Sequence, residues 1–408
     1  MNKKNSTIHN IIIIHLILSL FVMAFCEIDT AGSVPLRVFH IVQNKGYSLL
    51  LLSIATFGIL CLLTNFKICK LDTVSLFLFL KALVDFSHYL YNPQIGDPTY
   101  WYFFSMVIAM PIMYMIFKSF YGDPKIIITI ISIFAVVLVI QELLTAYYNG
   151  IPYSSDVFKN YMRIPVAHSN VIGVILLTIL VLSIKNHKLS LKTVILDGIM
   201  LFGLLLTQSR GCLIFLLCWL LFIKVQTYYS KYGKNILPIT FIICSVLCII
   251  VIESSAIQKL LFDVSIQDKD MLSIATSGRY DIWELAWAHW FSNPLFGEGL
   301  GVIEYDIGIE VITTGVHNII LDYAVQSGIV GLLLYFIAVI AGMRSKRNSN
   351  IPICRAFKLA LVVLLLYSMF EVIYFNYSCV FLFWMMVGIY NSKIIEHELH
   401  LKRINTNS

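Results

Sequence analysis

The chain has 408 residues, of which 59% are apolar and only 13% charged, and its mean hydropathy is +0.84. Ordinary soluble proteins carry roughly a quarter charged residues, so lipid must solvate most of this chain, which excludes a soluble enzyme, a disordered protein, a secreted disulfide scaffold and a nucleic-acid binder. The net charge of +6 reads as a record of cytoplasmic loops rather than as an anionic partner.

Apolar stretches of roughly 17–25 residues can cross a bilayer as helices. In chain order, twelve are predicted, at about residues 10–26, 47–64, 72–90, 100–117, 126–147, 165–184, 193–208, 211–224, 235–252, 317–342, 359–375 and 378–391. The first follows Lys3 and Lys4 as a signal peptide would. No small-residue cleavage site comes after it and the remaining chain is equally apolar, so it reads as an uncleaved span. With the N-terminus in the cytoplasm, Arg37, Lys45, Lys159, Arg163, Arg210, Lys259, Lys269 and Arg279 fall outside, Lys81 falls within a span, and the other twenty of the 29 Lys and Arg are cytoplasmic. That asymmetry predicts both termini inside. The fold expected is an all-α polytopic membrane protein in which residues 1–408 form one integral domain.

Residues 253–316 interrupt the pattern. They contain no spanning run and hold ten of the 23 acids but three of the 29 bases, which predicts a large extracytoplasmic loop; loops of this length are usually functional. Residues 279–290 have helical period, with Arg279, Trp283, Ala286 and Trp290 on one side and Asp281, Glu284 and Ala288 on another. Three tryptophans on a short amphipathic helix suit the headgroup level of a membrane. The turn Asn293-Pro294-Leu295-Phe296-Gly297-Glu298-Gly299-Leu300-Gly301 then ends the helix.

The nine cysteines form no CxxC pair and mostly sit in apolar runs, as at Cys61, Cys212, Cys218, Cys244, Cys248 and Cys379. They read as small buried hydrophobes, without a disulfide framework or a metal site.

Basic residues outside the membrane are the anomalous ones, and three groups stand out. Arg210, in Thr207-Gln208-Ser209-Arg210-Gly211 between two spans, either snorkels to headgroups or faces a polar cavity, where its planar fork suits phosphate. Arg279 opens the loop helix beside an aromatic face, within reach of a lipid phosphate or exposed to solvent. His317, in Gly315-Val316-His317-Asn318, heads a polar stripe of Asn318, Asp322 and Gln326. As a neutral imidazole it could accept the proton of an attacking hydroxyl. Weaker candidates are Lys81, Asp85 and His88 on one face of the third span, which an internal ion pair explains as well as a groove does. Glu142 and Glu371 near the outer ends of spans, and Arg163 and His168, belong with them. There is no glycine-rich nucleotide loop, no exposed DxD pair and no HExxH. Chemistry outside the cell membrane, without nucleotide sugars, needs a donor already activated and delivered by the membrane; a polyprenyl diphosphate-linked sugar fits, with arginines holding its leaving group.

At these residues the sequence resembles the O-antigen ligase/polymerase superfamily. The similar pieces are Ser209-Arg210-Gly211, then Arg279 with the turn 293–301, then His317-Asn318-Ile319-Ile320-Leu321, and finally Gly328-Ile329-Val330-Gly331, in a signature region of about residues 200–340. The resemblance implies a membrane glycosyltransferase of the GT-C type that uses undecaprenyl diphosphate-linked glycan and no metal or other cofactor. By position, Arg210 and Arg279 would bind the diphosphate and His317 would orient or deprotonate the acceptor hydroxyl. Asn318 would join the substrate-binding set. Arg163-Ile164-Pro165-Val166-Ala167-His168-Ser169-Asn170 is similar to a family stretch that lacks a usual glycine here, and would add Arg163 and His168.

The expected activity is polymerisation of an envelope polysaccharide, O-antigen or capsule, by transfer of a lipid-linked chain to a sugar hydroxyl of another lipid-linked repeat. The alternatives are ligation of the chain to lipid A-core, and transport of lipid-linked glycan, for which no internal repeat speaks. Expected partners are the undecaprenyl diphosphate-linked donor, the glycan acceptor, membrane lipid and a chain-length regulator, with no nucleic acid. The expected location is the bacterial inner membrane, with the active site extracytoplasmic.

Overall fold

In lipid, each backbone N–H and C=O must be bonded within its own segment, so long apolar stretches fold as helices. The computed structural model describes residues 3–27, 41–42, 45–91, 98–148, 150, 163–186, 191–209, 211–220, 279–301, 303–306, 311–344, 352–371 and 373–392. Among them are twelve α-helices: α1 (Lys3–Phe25), α2 (Lys45–Thr64), α3 (Thr73–Tyr91), α4 (Pro98–Lys118), α5 (Pro124–Tyr148), α6 (Ser169–Asn186), α7 (Leu191–Leu206), α8 (Gly211–Leu220), α9 (Arg279–Ser292), α10 (Ile319–Arg344), α11 (Pro352–Tyr367) and α12 (Tyr377–Tyr390). Three two-stranded pairs join them: parallel β1–β2 (Cys26–Glu27, Ile41–Val42), antiparallel β3–β4 (Arg163–Ile164, Ala167–His168) and antiparallel β5–β6 (Ile303–Asp306, Val311–Thr314). Five helices, α1, α2, α4, α5 and α10, are long and apolar enough to cross a membrane, and the architecture is that of a helical multi-pass membrane protein.

Most predicted spans coincide with a helix to within a few residues. The ninth, 235–252, and residues 253–278 of the predicted loop lie outside the described residues. Two segments differ in kind. The apolar run predicted from residue 165 opens as the β3–β4 hairpin, and α6 begins only at Ser169. Buried Lys45 explains the hairpin: its ammonium donates to the carbonyls of Pro165 and Val166 at 3.0 and 2.8 Å, bonds those oxygens could not make if they faced lipid. The run predicted at 359–375 is instead α11, which starts earlier at Pro352 and ends at Tyr367. A proline suits the first helical turn, where no N–H is needed.

Hydropathy also ran straight through a break in α10. Gly328 has φ 62° and ψ −172° inside that helix. In an unbroken helix, the amides of Ile329 and Val330 would bond the carbonyls of Val325 and Gln326. Here those carbonyls accept instead from Glu298 and Gly299 of the glycine-rich turn, at 2.7 and 2.9 Å, while Ile329 and Val330 donate to Pro294 and Leu295 at 3.0 and 3.2 Å. Helix and turn exchange partners, leaving none of these eight groups unsatisfied. The approach is so close that a Cβ on Gly297 would strike the Val325 carbonyl and one on Gly328 the Leu295 carbonyl, and Gly297 itself has φ +78°.

The third helix packs along α10 and supports the break. Lys81 and Asp85 are both fully buried and 2.6 Å apart. Ser327, beside Gly328, donates to Asp85 Oδ1 at 2.6 Å, and Lys81 stands 4.6 Å over the Tyr323 ring. The polar face of α3 is thus an internal ion pair, with His88 bonded to the Phe296 carbonyl of the turn. Helix α12 is buried along its whole length, as expected of a helix apolar on every side.

Candidate functional site

Four chain segments bring polar side chains to one end of the bundle, and they meet at Glu371. This residue follows the end of α11. The Ser368 carbonyl in the same turn accepts the Ile319 amide at 3.0 Å, which holds the turn against the start of α10. Glu371 is only 3% exposed on its side chain, yet Arg279 Nη2 lies 3.3 Å from Oε2 and His317 Nδ1 lies 2.8 Å from Oε1. Asn170, at the start of α6, donates from Nδ2 to Oε2 at 2.8 Å. Burial alone would raise the Glu371 carboxyl, but His317 in direct contact, then the nearby charges of His168 and Arg279, outweigh it and hold it at about 2, against an ordinary 4.5. The carboxylate is therefore ionised and fixes the two cationic or donor groups in front of it.

Local structure aims both groups. Arg279 opens α9, whose inner side packs on α10: Ala286 is fully buried with Val316, Leu321 and Val325, and Trp283 Nε1 donates to the Val316 carbonyl at 2.9 Å. That is the side the helical period assigned to Arg279, Trp283, Ala286 and Trp290. His317, next in chain to Val316, has φ 54°, a left-handed conformation that costs a non-glycine residue free energy and clusters at functional sites. Asp322 holds it there. Its carboxylate accepts from the Val316 amide at 3.1 Å, from Gln326 Nε2 at 3.0 Å and from the Tyr374 hydroxyl. The polar stripe Asn318, Asp322, Gln326 is thus mostly internal wiring. Asn318 Oδ1 caps α10 by accepting the amides of Ile320 and Leu321 at 3.0 and 3.3 Å, a typical Asn role.

Of the sequence candidates, Arg279 and His317 are brought together, and His168 lies near enough to bias Glu371 electrostatically. Arg163 pairs with His168 across the β3–β4 hairpin. Arg210 lies outside the described residues, but its neighbours face the same region. Ser209 hydrogen-bonds the Tyr367 hydroxyl at 3.1 Å, and a Cβ on Gly211 would sit 3.1 Å from the Tyr367 ring. Gln208, just before, also has positive φ, at 50°. Glu142 is fully buried in α5, and among the described residues neither carboxylate oxygen is bonded; Lys81, Asp85 and His88 support the fold. The sequence marked Glu371 only as one acid near a span end. The available signal was the cost of an ionisable group at membrane depth, which such residues repay by pairing; its partners lie too far along the chain for spacing to name them. Asn170 was seen only as part of a motif.

The class defined by fold and site is a multi-pass helical membrane protein with a charged Arg–Glu–His cluster at one end of its bundle. Residues 195–336 match the family model described as O-Antigen ligase. The match supports the O-antigen ligase/polymerase superfamily, whose members are glycosyltransferase-like ligases and polymerases acting on lipid-linked glycans. It spans α7 to most of α10, and so includes Arg279, His317 and the interlocked turn and break. Comparison with curated proteins finds none that matches the chain.

Proposed function

We propose that the chain is an envelope polysaccharide polymerase of the bacterial inner membrane, with both termini cytoplasmic and its site on the extracytoplasmic face. It transfers undecaprenyl diphosphate-linked glycan to a sugar hydroxyl of another lipid-linked repeat unit. The observation that supports this reading best is that Arg279 and His317, both inside the stretch that matches the O-antigen ligase family, converge on the buried carboxylate of Glu371, which lies beyond it.

In this reading the acceptor hydroxyl oxygen attacks the anomeric carbon of the donor. A new C–O bond forms as the bond to the diphosphate oxygen breaks, and the diphosphate leaves with the bonding electron pair. We assign Arg279 and Arg210 the role of countering the negative charge that develops on the leaving group, as cations do in anion-stabilising sites, so no metal is needed for that part. Glu371 Oε1, 2.8 Å from His317 Nδ1, holds that edge of the ring, and in this reading the opposite nitrogen, Nε2, receives the acceptor proton. Arg163, His168 and Asn318 complete the substrate-binding set.

The family model bears the name of the ligase, which favours transfer of the chain to lipid A-core as the second reading. One experiment separates them: the glycan ladder of a deletion strain, complemented with wild type or Arg279→Ala. Polymerase loss leaves surface glycan capped at one repeat, restored by wild type and not by Arg279→Ala expressed at the same level. Long chains stranded on lipid diphosphate over a bare core would establish the ligase instead. An unchanged ladder would sink both, and glycan moved across liposomes without bond formation would favour a transporter.

A further inference from the structure

Beside the Arg279–Glu371–His317 cluster, α9 and the start of α10 enclose an open hollow of about 430 Å³, lined by Tyr280, Trp283, Glu284 and Trp287 from α9 and by Asn318 with its apolar neighbours from α10. The α9 residues are spaced i, i+3, i+4 and i+7, so they form one stripe along the helix. The lining adjoins the site along the chain at two points, since Tyr280 follows Arg279 and Asn318 follows His317.

The chemistry of this lining is mixed in a particular way. Three aromatic rings give flat apolar area, and Trp283 is already locked by its bond to the Val316 carbonyl, so ordering it on binding costs little. Among the described residues the Glu284 carboxylate has no partner, and Asn318 spends only its oxygen on the helix cap, keeping Nδ2 as a donor. An acyl chain has no use for a carboxylate and an amide at this place, and a phosphate would be repelled by Glu284. A sugar ring offers what the lining lacks: an apolar C–H face for the rings and a rim of hydroxyls for Glu284 and Asn318. The lipid-like ridge of α9 continues elsewhere, where Trp287 stacks on Phe291, which is 68% exposed, and runs on to Leu295 and Phe296.

We propose that this hollow binds the sugar of the acceptor glycan, stacked on Trp283 and Trp287 and held by Glu284 and Asn318, so that its hydroxyl is delivered to His317. The assignment of an acceptor rests on the transferase reading above; sugar binding as such does not.

The test uses the full chain purified in lipid nanodiscs. The probe is the host's repeat-unit oligosaccharide, freed from its lipid diphosphate by mild acid, which can act as acceptor but not as donor. Binding is read by saturation-transfer NMR. Wild type is expected to bind, Trp287→Ala and Glu284→Gln to bind about tenfold more weakly, and Trp287→Phe to bind nearly as wild type. Arg279→Ala should bind the free glycan normally while being inactive in transfer. The proposal is overturned if the free oligosaccharide does not bind wild type, or binds Trp287→Ala and Glu284→Gln as well as wild type. It is also overturned if brominated lipid quenches Trp287 fully and saturating glycan does not relieve the quenching. An unchanged deletion ladder with intact, Trp287-dependent glycan binding would remove the transferase reading and keep the sugar site.

Discussion

Glu371 sits between a guanidinium, an imidazole and a carboxamide, and its charge is what arranges them. In Glu371→Gln the charge goes while the shape stays. Turnover is then expected to fall about 100-fold, with donor KM changed much less, as measured with lipid-linked repeat units on purified enzyme. Glu371→Asp should recover part of the loss, which a purely packing role would not predict. The pH dependence follows from the same carboxyl. Its folded value lies at about 2, below the ordinary 4.5, so its contribution to stability is complete above about 4.5 and is lost as pH falls toward 2. That contribution is on the order of 3 kcal/mol, so the thermal midpoint should not respond to Glu371 between pH 7 and 5 and should drop steeply below, a drop that Glu371→Gln removes. The sequence made Arg279 and His317 visible because positive charge and a lone imidazole stand out on the side that the loop charges predict to be outer. It left Glu371 unassigned because membrane acids are singled out by their cost, whereas their partners are set by folding.

The exchange between α10 and the glycine-rich turn makes two elements depend on each other. Gly328→Ala would place a Cβ against the Leu295 carbonyl at a positive φ, which strains backbone and not a yielding side chain. Loss of the docked turn is expected, together with loss of activity, while the α10 segment still inserts. Protease sensitivity confined to residues 279–301 in membranes would report it, and full activity of the variant would contradict the exchange. Helices were legible in the sequence because burial in lipid demands long apolar runs, and α9 was legible through its period. The break at Gly328 and the β3–β4 hairpin were not, since apolar residues run through both and only tertiary partners, the turn and Lys45, decide the backbone there.

Across the whole molecule, α3 is tied to α10 by Lys81, Asp85 and Ser327, residues far apart in the chain. Removing one member of a buried pair strands the other charge, at a cost of about 3–5 kcal/mol. Lys81→Met should therefore lower the unfolding midpoint in detergent markedly, and Lys81→Met with Asp85→Asn should recover part of it. A midpoint unchanged in Lys81→Met would mean that the pair does not hold α3 to the break. The even split of explanations for these residues at the sequence level, ion pair or groove, could be decided only by seeing what faced them.

The partner exchange at Gly328 also limits how the site can be reached. Lifting the turn away would break these four bonds together and bare four carbonyls and four amides, each costing about 1–3 kcal/mol where it stays buried without a partner. The segment running from Arg279 into that turn is therefore a fixed wall and cannot swing aside as a cover. In the transferase reading, the donor therefore reaches Arg279 by a path that leaves this turn docked.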